Sequence, residues 1–184
     1  MRIFIGIGFS DEYKNILKKI KEHWKTKLFS KIKWTEEKNF HLTLRFLGEV
    51  EDHRVDQVKD ALCNIKMNSF IFEAGSGGFF PNIKRPRIIW VGSKKGEKEC
   101  INLEQNISNN LDILGFKKQD KPFKVHLTLG RIKYFDHKDR WPLLQRYLND
   151  ITWPELTISH FTLWQSTLTR QGPIYTPLAT YNLL

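Results

Sequence analysis

The 184-residue chain is expected to fold as an α+β protein built on antiparallel sheets. Three observations carry that expectation. Strand-period and helix-period segments are mixed without the regular βαβ alternation that a parallel sheet requires. The tetrapeptide His-Leu-Thr-Leu occurs twice, at residues 41–44 and 126–129, and similar elements surround each copy. No linker divides the chain, so residues 1–184 are expected to form a single domain.

Taken in order, residues 2–8 alternate enough for a strand. Tyr13, Ile16, Leu17, Ile20 and Trp24 then recur at helical spacing with lysines on the other face, which predicts an amphipathic helix over 11–27. Residues 32–34 suit a short strand, and 40–47 a stronger one that ends at Gly48. Asp52 can cap a helix running to about residue 66, with Val55, Val58, Leu62 and Ile65 inward. Residues 70–74 read as extended, Gly75-Ser76-Gly77-Gly78 as a flexible turn, and 81–86 as a loop with a basic tip at Lys84, Arg85 and Arg87.

The second half resembles the first. Residues 88–91 form an apolar strand, and 97–114 a helix with Cys100, Leu103, Ile107, Leu111 and Leu114 on one face and Gly115 placed to end it. A strand over 124–129, a short helix over 139–148, a well-alternating strand over 156–164 and a closing strand over 174–181 follow. In each half a strand and a long helix precede the His-Leu-Thr-Leu strand, and another helix follows it. The repeat places the two histidines, His41 and His126, 85 residues apart, a period too long for a solenoid and suited to two related lobes.

Composition limits the function classes. The hydrophobic fraction is 40% and the charged fraction 27%, values of a soluble globular protein. No apolar run approaches the ~20 residues of a membrane span, and the short apolar start reads as a first strand, not a leader peptide. Cys63 and Cys100 form neither a disulfide framework nor a CxxC pair, which suits reduced thiols in the cytoplasm. The net charge of +10 fits a polyanion such as RNA as partner. On charge alone, a lysine-rich surface that maintains solubility explains it equally well.

The repeated tetrapeptide narrows the reading. Side chains alternate faces along a strand, so His41, Thr43 and Arg45 share one face while Phe40, Leu42, Leu44 and Phe46 take the other. His126 and Thr128 likewise oppose Val125, Leu127 and Leu129. Each strand thus has an apolar face for the core and a second face carrying an imidazole and a hydroxyl. Two histidines are too few for a structural zinc, no further ligand stands at a usable spacing, and Arg45 and Arg131 would repel a cation. The threonines lie two residues along the strand from their histidines, and no GxSxG elbow is present. General acid–base catalysis remains, because one imidazole can be neutral and another protonated near pH 7. Hydroxyls and an arginine would hold charged oxygens, an arrangement suited to an anionic phosphodiester.

These residues resemble the 2H phosphoesterase superfamily, and most closely its RNA 2′,3′-cyclic phosphodiesterases, also known as 2′-5′ RNA ligases. The resemblance covers nearly the whole chain. It rests on the opening residues 1–7, on Asn39-Phe40-His41-Leu42-Thr43-Leu44-Arg45-Phe46-Leu47-Gly48-Glu49, and on Gly78-Phe79-Phe80-Pro81-Asn82 with Arg85-Pro86-Arg87-Ile88-Ile89-Trp90. His126-Leu127-Thr128-Leu129-Gly130-Arg131 and the segment from Ser166-Thr167-Leu168-Thr169 to Gly172-Pro173-Ile174-Tyr175 complete it. It implies two pseudo-symmetric lobes of antiparallel sheet, with flanking helices, around a central cleft. It also implies metal-independent, cofactor-free hydrolysis of RNA 2′,3′-cyclic phosphate ends to 2′-phosphomonoesters. His41 would be the proton donor and His126 the proton acceptor. Thr43, Thr128 and Arg131 would bind the phosphate. Strict alternation puts Arg131 on the wrong face, so a bulge at Gly130, or a strand ending there, is expected.

The expected partners are RNA ends or nucleotides with a 2′,3′-cyclic phosphate, with no membrane and with the protein a monomer. Arg45 reads equally as a substrate contact or a rim charge, and Tyr175 with residues 166–175 as a cleft wall or a turn. Phe9, Phe79 and Phe80 are core candidates before they are base-stacking ones, and His23, His53, His137 and His160 read as structural or exposed. Lys84–Arg87 and Lys117, Lys118, Lys121 and Lys124 suit RNA guidance or an ordinary solvated face. Two rivals stay open: ligation, the same chemistry reversed, and a non-catalytic RNA-binding module whose affinity would be indifferent to both histidines.

Overall fold

A computed structural model of the chain describes residues 1–117 and 122–184. Among those residues it forms nine strands and four α-helices. β1 (Arg2–Gly8) leads into α1 (Asp11–Trp24), and β2 (Lys31–Trp34) into β3 (His41–Glu49) and α2 (Asp52–Cys63). β4 (Phe70–Phe80) and β5 (Ile88–Lys95) precede α3 (Glu97–Asp112). β6 (Leu127–Tyr134), α4 (Trp141–Asp150), β7 (Leu156–Ile158), β8 (His160–Leu168) and β9 (Pro173–Asn182) complete the chain. No helix among the described residues is long and apolar enough to cross a membrane.

The α+β expectation holds. The strands form an antiparallel sheet in the order β7-β4-β5-β6-β3-β1-β8-β9, with β2 also paired to β6. β3 and β6 pair through Leu42 and Leu127 and then part. Beyond that junction β6 is flanked by β2, with Trp34 opposite Gly130, while β3 continues beside β1. The sheet is therefore two wings joined at the two motif strands: β3-β1-β8-β9 on one side and β6-β5-β4-β7 on the other. Strands cross between the sequence halves in both directions. β2 and β4 come from the first half and sit with the second wing, and β8 and β9 come from the second half and lie in the first, β8 beside β1.

The helices cover one face of this sheet, following the apolar spacing in each. α1 buries Tyr13, Leu17, Ile20 and Trp24, and α3 buries Cys100, Leu103, Ile107 and Leu111. They meet Ile3, Ile5 and Ile7 of β1, Leu42 and Leu44 of β3, and Leu127 and Leu129 of β6 in one core. Complete burial of each such leucine or isoleucine contributes about 1.5–3 kcal/mol.

Three local expectations are corrected. Gly75–Gly78 is not a turn but the interior of β4, where Ser76 has φ 60 and the ladder with β5 shifts register. The glycines serve close approach. A Cβ on Gly77 would lie 2.4 Å from Leu148 Cβ of α4, and one on Gly78 2.2 Å from the Trp90 ring. The strand expected over 156–164 is broken at Ser159, because β7 pairs with β4 and β8 with β1, on opposite wings. The second motif strand begins at Leu127, not at residue 124, and runs to Tyr134. Gly115, at φ 78, stands just past α3 as expected.

Candidate active site

The face of the sheet away from the helices carries the polar half of each motif. Along β1 the pleat sends Ile3, Ile5 and Ile7 into the core and leaves Phe4, Gly6 and Gly8 opposite them. Gly8 pairs with His41 and Gly6 with Thr43. Gly6 has to lack a side chain: a Cβ there would stand 2.7 Å from the Leu42 carbonyl oxygen and 3.6 Å from His41 Cδ2.

Both motif strands carry an extra residue at the same place. Thr43 lies opposite Gly6 and Arg45 opposite Ile5, so Leu44 is the extra residue in β3. Thr128 lies opposite Trp90 and Gly130 opposite Ile89, so Leu129 is its counterpart in β6. A bulge inverts the alternation beyond it. In β6 this returns Arg131 to the face of His126 and Thr128. The expected departure at Gly130 is thus made one residue earlier.

The same inversion overturns both readings of Arg45, as a substrate contact and as a rim charge. Beyond the Leu44 bulge Arg45 turns into the core, where it is 1% exposed. Its guanidinium donates to Asp112 Oδ1 at 2.8 Å and to the carbonyls of Lys117 at 3.1 Å and Phe116 at 3.4 Å. Phe46, assigned to the apolar face by strict alternation, is 58% exposed and lies 5.7 Å from the Phe4 ring.

The two histidines are held alike. His41 Nδ1 donates to the Asn39 carbonyl at 2.6 Å, and His126 Nδ1 to the Lys124 carbonyl at 2.7 Å, each two residues back. A carbonyl only accepts, so each Nδ1 bears hydrogen and Nε2 is the basic nitrogen of the neutral ring. His41 Nε2 lies 2.9 Å from the Thr43 hydroxyl. Carried one residue either way, the Leu42–Leu127 register sets His41 across from Thr128 and Thr43 across from His126. Each imidazole also meets an aromatic ring nearly at right angles: Tyr175 for His41 and Phe80 for His126, both at 5.1 Å and 84°.

Electrostatics favour the neutral rings. Burial pushes the His41 pKa below its ordinary value, and the charges of His126 and Arg131 push the same way, against the Asn39 hydrogen bond. Burial likewise depresses His126, with Arg131 and Lys124 adding to it against the Lys124 carbonyl. The Tyr175 hydroxyl is raised by burial and lowered by Arg131 and Arg2. The Arg131 charge therefore bears on His41, His126 and Tyr175 together. Among the described residues, no cluster of three or more His, Cys, Asp or Glu is arranged to hold a metal ion.

The surroundings divide the lesser candidates. Phe9 packs on Tyr13, Phe40 and Phe72, and Phe79 on Trp141, both in the core. Phe80 stands at the site, 5.1 Å from Trp90, and Lys124 Nζ lies 4.4 Å from the Trp90 ring centre. His23 stacks on Tyr147, and His53 and His137 are exposed. Lys84, Arg85 and Arg87 are exposed, and Lys118 and Lys121 lie outside the described residues. Cys100 is buried, with its thiol pushed up to about 12, and Cys63 is an exposed free thiol.

Several neighbours escaped sequence reading. Phe4 lies 4.9 Å from both the His41 and Tyr175 rings and stacks toward Trp164. Its position one step from Ile3 and Ile5 was the available signal. Asn39 orients His41 through its carbonyl, and its side chain donates to the Pro173 carbonyl at 2.9 Å, tying the β8–β9 hairpin to the first motif.

The sequence and the fold are similar to those of known proteins. The LigT like Phosphoesterase family model matches the chain twice, over residues 7–90 and 91–175. The chain is 34% identical to the RNA 2′,3′-cyclic phosphodiesterase of Thermotoga maritima over 95% of its own length and 91% of the relative's. With the RNA 2′,3′-cyclic phosphodiesterase of Archaeoglobus fulgidus the identity is 33%, over 98% and 99% of the two chains. Among solved structures, TT0787 of Thermus thermophilus has the same fold with a TM-score of 0.82 at 24% identity, covering 99% of this chain and 97% of that one. E. coli LigT complexed with 3′-AMP follows at 0.75 and 24%, with 99% and 97% covered.

Proposed function

This chain belongs to the LigT-like phosphoesterase family, and from that premise we propose that it is a hydrolase of RNA 2′,3′-cyclic phosphate ends, working without a metal or cofactor by two-histidine acid–base catalysis. The observation that supports this reading above all is the paired site itself. Two imidazoles, each fixed by an Nδ1 bond to a carbonyl two residues back, flank the Leu42–Leu127 junction with Arg131 acting on both.

In this reading the cyclic phosphate enters with its oxygens toward Thr43, Thr128 and Arg131. A phosphodiester brings the negative charge that the site lacks, and it raises the depressed imidazole pKa values. His126 Nε2 takes a proton from water as the water oxygen bonds to phosphorus. The bond from phosphorus to the 3′ oxygen breaks, and His41 Nε2 donates its proton to that oxygen. The product is a 2′-phosphomonoester beside a free 3′-hydroxyl, and the protons on the two histidines have exchanged. Each role contributes typically ~10²–10⁴-fold. The strand exchange between wings supports one bilobal domain over residues 1–184, and we place it in the cytoplasm as a monomer.

The test is hydrolysis of 2′,3′-cyclic AMP and of a cyclic-phosphate-ended oligoribonucleotide by wild type, His41→Ala and His126→Ala, with product regiochemistry determined. Wild type should yield 2′-phosphates in the presence of EDTA, and each variant should lose ~10²–10⁴-fold while keeping its fold. A strict metal requirement, or variants as active as wild type, would overturn the reading. Including a 5′-hydroxyl acceptor strand measures ligation in the same experiment.

A further inference from the structure

The ribbon formed by β2 and β6 leaves the site at Arg131 and carries one kind of charge on the site's face. Its register sorts the residues. Ile32, Trp34 and Ile132 turn to the core, and Gly130 faces the same way, since a Cβ there would lie 2.8 Å from Ile32 Cγ2. The pleat therefore puts Lys31, Lys33 and Arg131 on the opposite face, where Lys33 stands directly across from Arg131. Farther along, Lys31 stands across from Tyr134, and the register shift between the pairs leaves Lys133 as an extra residue beside them. All of these side chains are exposed, Tyr134 at 57%.

Like charges directly opposite on a strand pair are destabilising, and the ribbon offers no counter-charge of its own. Neither strand contains a carboxylate. Among the described residues, no ion pair or hydrogen bond engages the charged ends of Lys31, Lys33, Arg131 or Lys133. The carboxylates that follow the two strands are held elsewhere. Glu36 pairs with Lys38 at 3.3 Å, Asp136 accepts from the Lys138 amide at 2.9 Å, and Asp139 accepts from the amides of Phe29 at 2.7 Å and Ser30 at 2.9 Å. Lys33 Nζ and Glu36 Oε1 both reach the β8–β9 turn, 3.8 and 3.9 Å from the position of a Cβ on Gly172, and Asn39 ties that same hairpin to the first motif. The row of cations is thus continuous with the site, and an anion from outside completes it.

We infer that this ribbon is the track for the RNA strand that carries the reacting end. Arg131 takes the cyclic phosphate, Lys33, Lys31 and Lys133 take the backbone phosphates that precede it, and Tyr134 offers its ring to a base. Neighbouring charges on one strand face lie two residues, about 6.5–7 Å, apart, which matches the reach between successive phosphates of an extended single strand. Cations set beside an exposed aromatic ring are the surface on which single strands bind. The inference rests on the proposed cyclic phosphodiesterase reading and deepens it: the substrate is a polynucleotide end gripped through its backbone, rather than a free cyclic mononucleotide.

Calorimetry with two product-like probes, an oligoribonucleotide ending in a 2′-phosphate and adenosine 2′-monophosphate, tests the track. Lys31→Gln, Lys33→Gln and Lys133→Gln combined should weaken the oligonucleotide about 10–100-fold at about 0.1 M salt. Its slope of log affinity against log salt should flatten by about 2, since each phosphate contact on a single strand contributes about 0.7. Adenosine 2′-monophosphate has no preceding phosphate and should weaken less than about threefold. The ribbon variant should melt no lower than wild type, because the repulsion is removed. A control with Lys18→Gln, Lys19→Gln and Lys25→Gln removes the same charge from α1 and its C-terminal end, on the other face of the sheet, and should keep the oligonucleotide within about threefold of wild type. Unchanged oligonucleotide affinity in the ribbon variant, equal losses for the two probes, or an equal loss in the control would overturn the track. So would a lowered Tm, which would assign these lysines to the fold. The affinities do not depend on turnover, so a protein that holds the oligonucleotide through the ribbon but hydrolyses no cyclic phosphate would overturn the proposed reaction and leave the track standing.

Discussion

Replacing Arg45 with methionine tests the bulge at Leu44 as a structural device. Methionine matches the length of the side chain but removes the guanidinium, which is 1% exposed and bonded to Asp112, Lys117 and Phe116. Removing one partner of a buried ion pair costs about 3–5 kcal/mol. Asp112 keeps 22% of its side-chain surface in water, so solvent relieves part of that, and about 3 kcal/mol of destabilisation is expected. For a chain of this size that lowers Tm by about 6–12 °C. Circular dichroism melts of wild type, Arg45→Met and Arg45→Met with Asp112→Leu measure it. The double variant should recover part of the loss, because it no longer buries a carboxylate against an apolar neighbour. Arg45 also holds the carbonyls of the segment that leaves α3 toward His126, so Arg45→Met should lower kcat more than it raises KM. A Tm within about 2 °C of wild type would refute the argument, since an arginine on the substrate face would leave stability untouched.

Four further outcomes follow from the site and the sheet. Because both imidazole pKa values are depressed in the free protein, the bell of kcat/KM against pH should centre below ~6.5, and that of kcat should move upward as bound phosphate favours protonation; a kcat/KM optimum above ~7 would contradict the depressed values. The same depression means the unfolded chain binds protons first as pH falls through ~6.5, so stability should decline over that interval, and less steeply in His41→Asn, as denaturant melts across pH would show. Gly78→Ala drives a Cβ to 2.2 Å from the Trp90 ring, which pairs with Thr128, and should cost about 1–3 kcal/mol together with catalytic efficiency; a variant with wild-type Tm and kcat/KM would show that Trp90 can move aside freely. With β4 and β8 exchanged between the wings, calorimetric unfolding should be a single transition with equal van't Hoff and calorimetric enthalpies, and two resolved transitions would separate the wings.

Much of the site was legible because strand periodicity is simple. In both copies His and Thr leave the apolar face, and the structure keeps them there. The equivalence of the halves was legible too, from the order of strand and helix around each motif. The bulges were not. Leu44 and Leu129 look like any core leucine, and the extra residue shows itself in the partner strand's register. Arg131 exposed the irregularity in the second copy, since the resemblance required it on the other face. Arg45 offered no such conflict in the first, so its assignment followed strict alternation and failed. The glycines of β4 were misread for a related reason: a flexible turn and a close approach use the same residue, and Leu148 and Trp90, which make the approach, lie 71 and 12 residues downstream of Gly77 and Gly78 respectively. Tyr175 and Asn39 depend on a hairpin folding back across the whole chain, a contact that no local pattern encodes.

The position of β8 has a consequence for how the protein is made. β1 leaves the ribosome well before Thr162–Gln165, which cover one of its edges. Until then the nascent chain presents Ile3, Phe4 and Ile5 along an unpaired strand edge, the kind of surface on which chains pair with one another. Pairing of β8 with β1 is thus part of producing an intact site, because Phe4, which packs against His41, lies on that same late-covered strand.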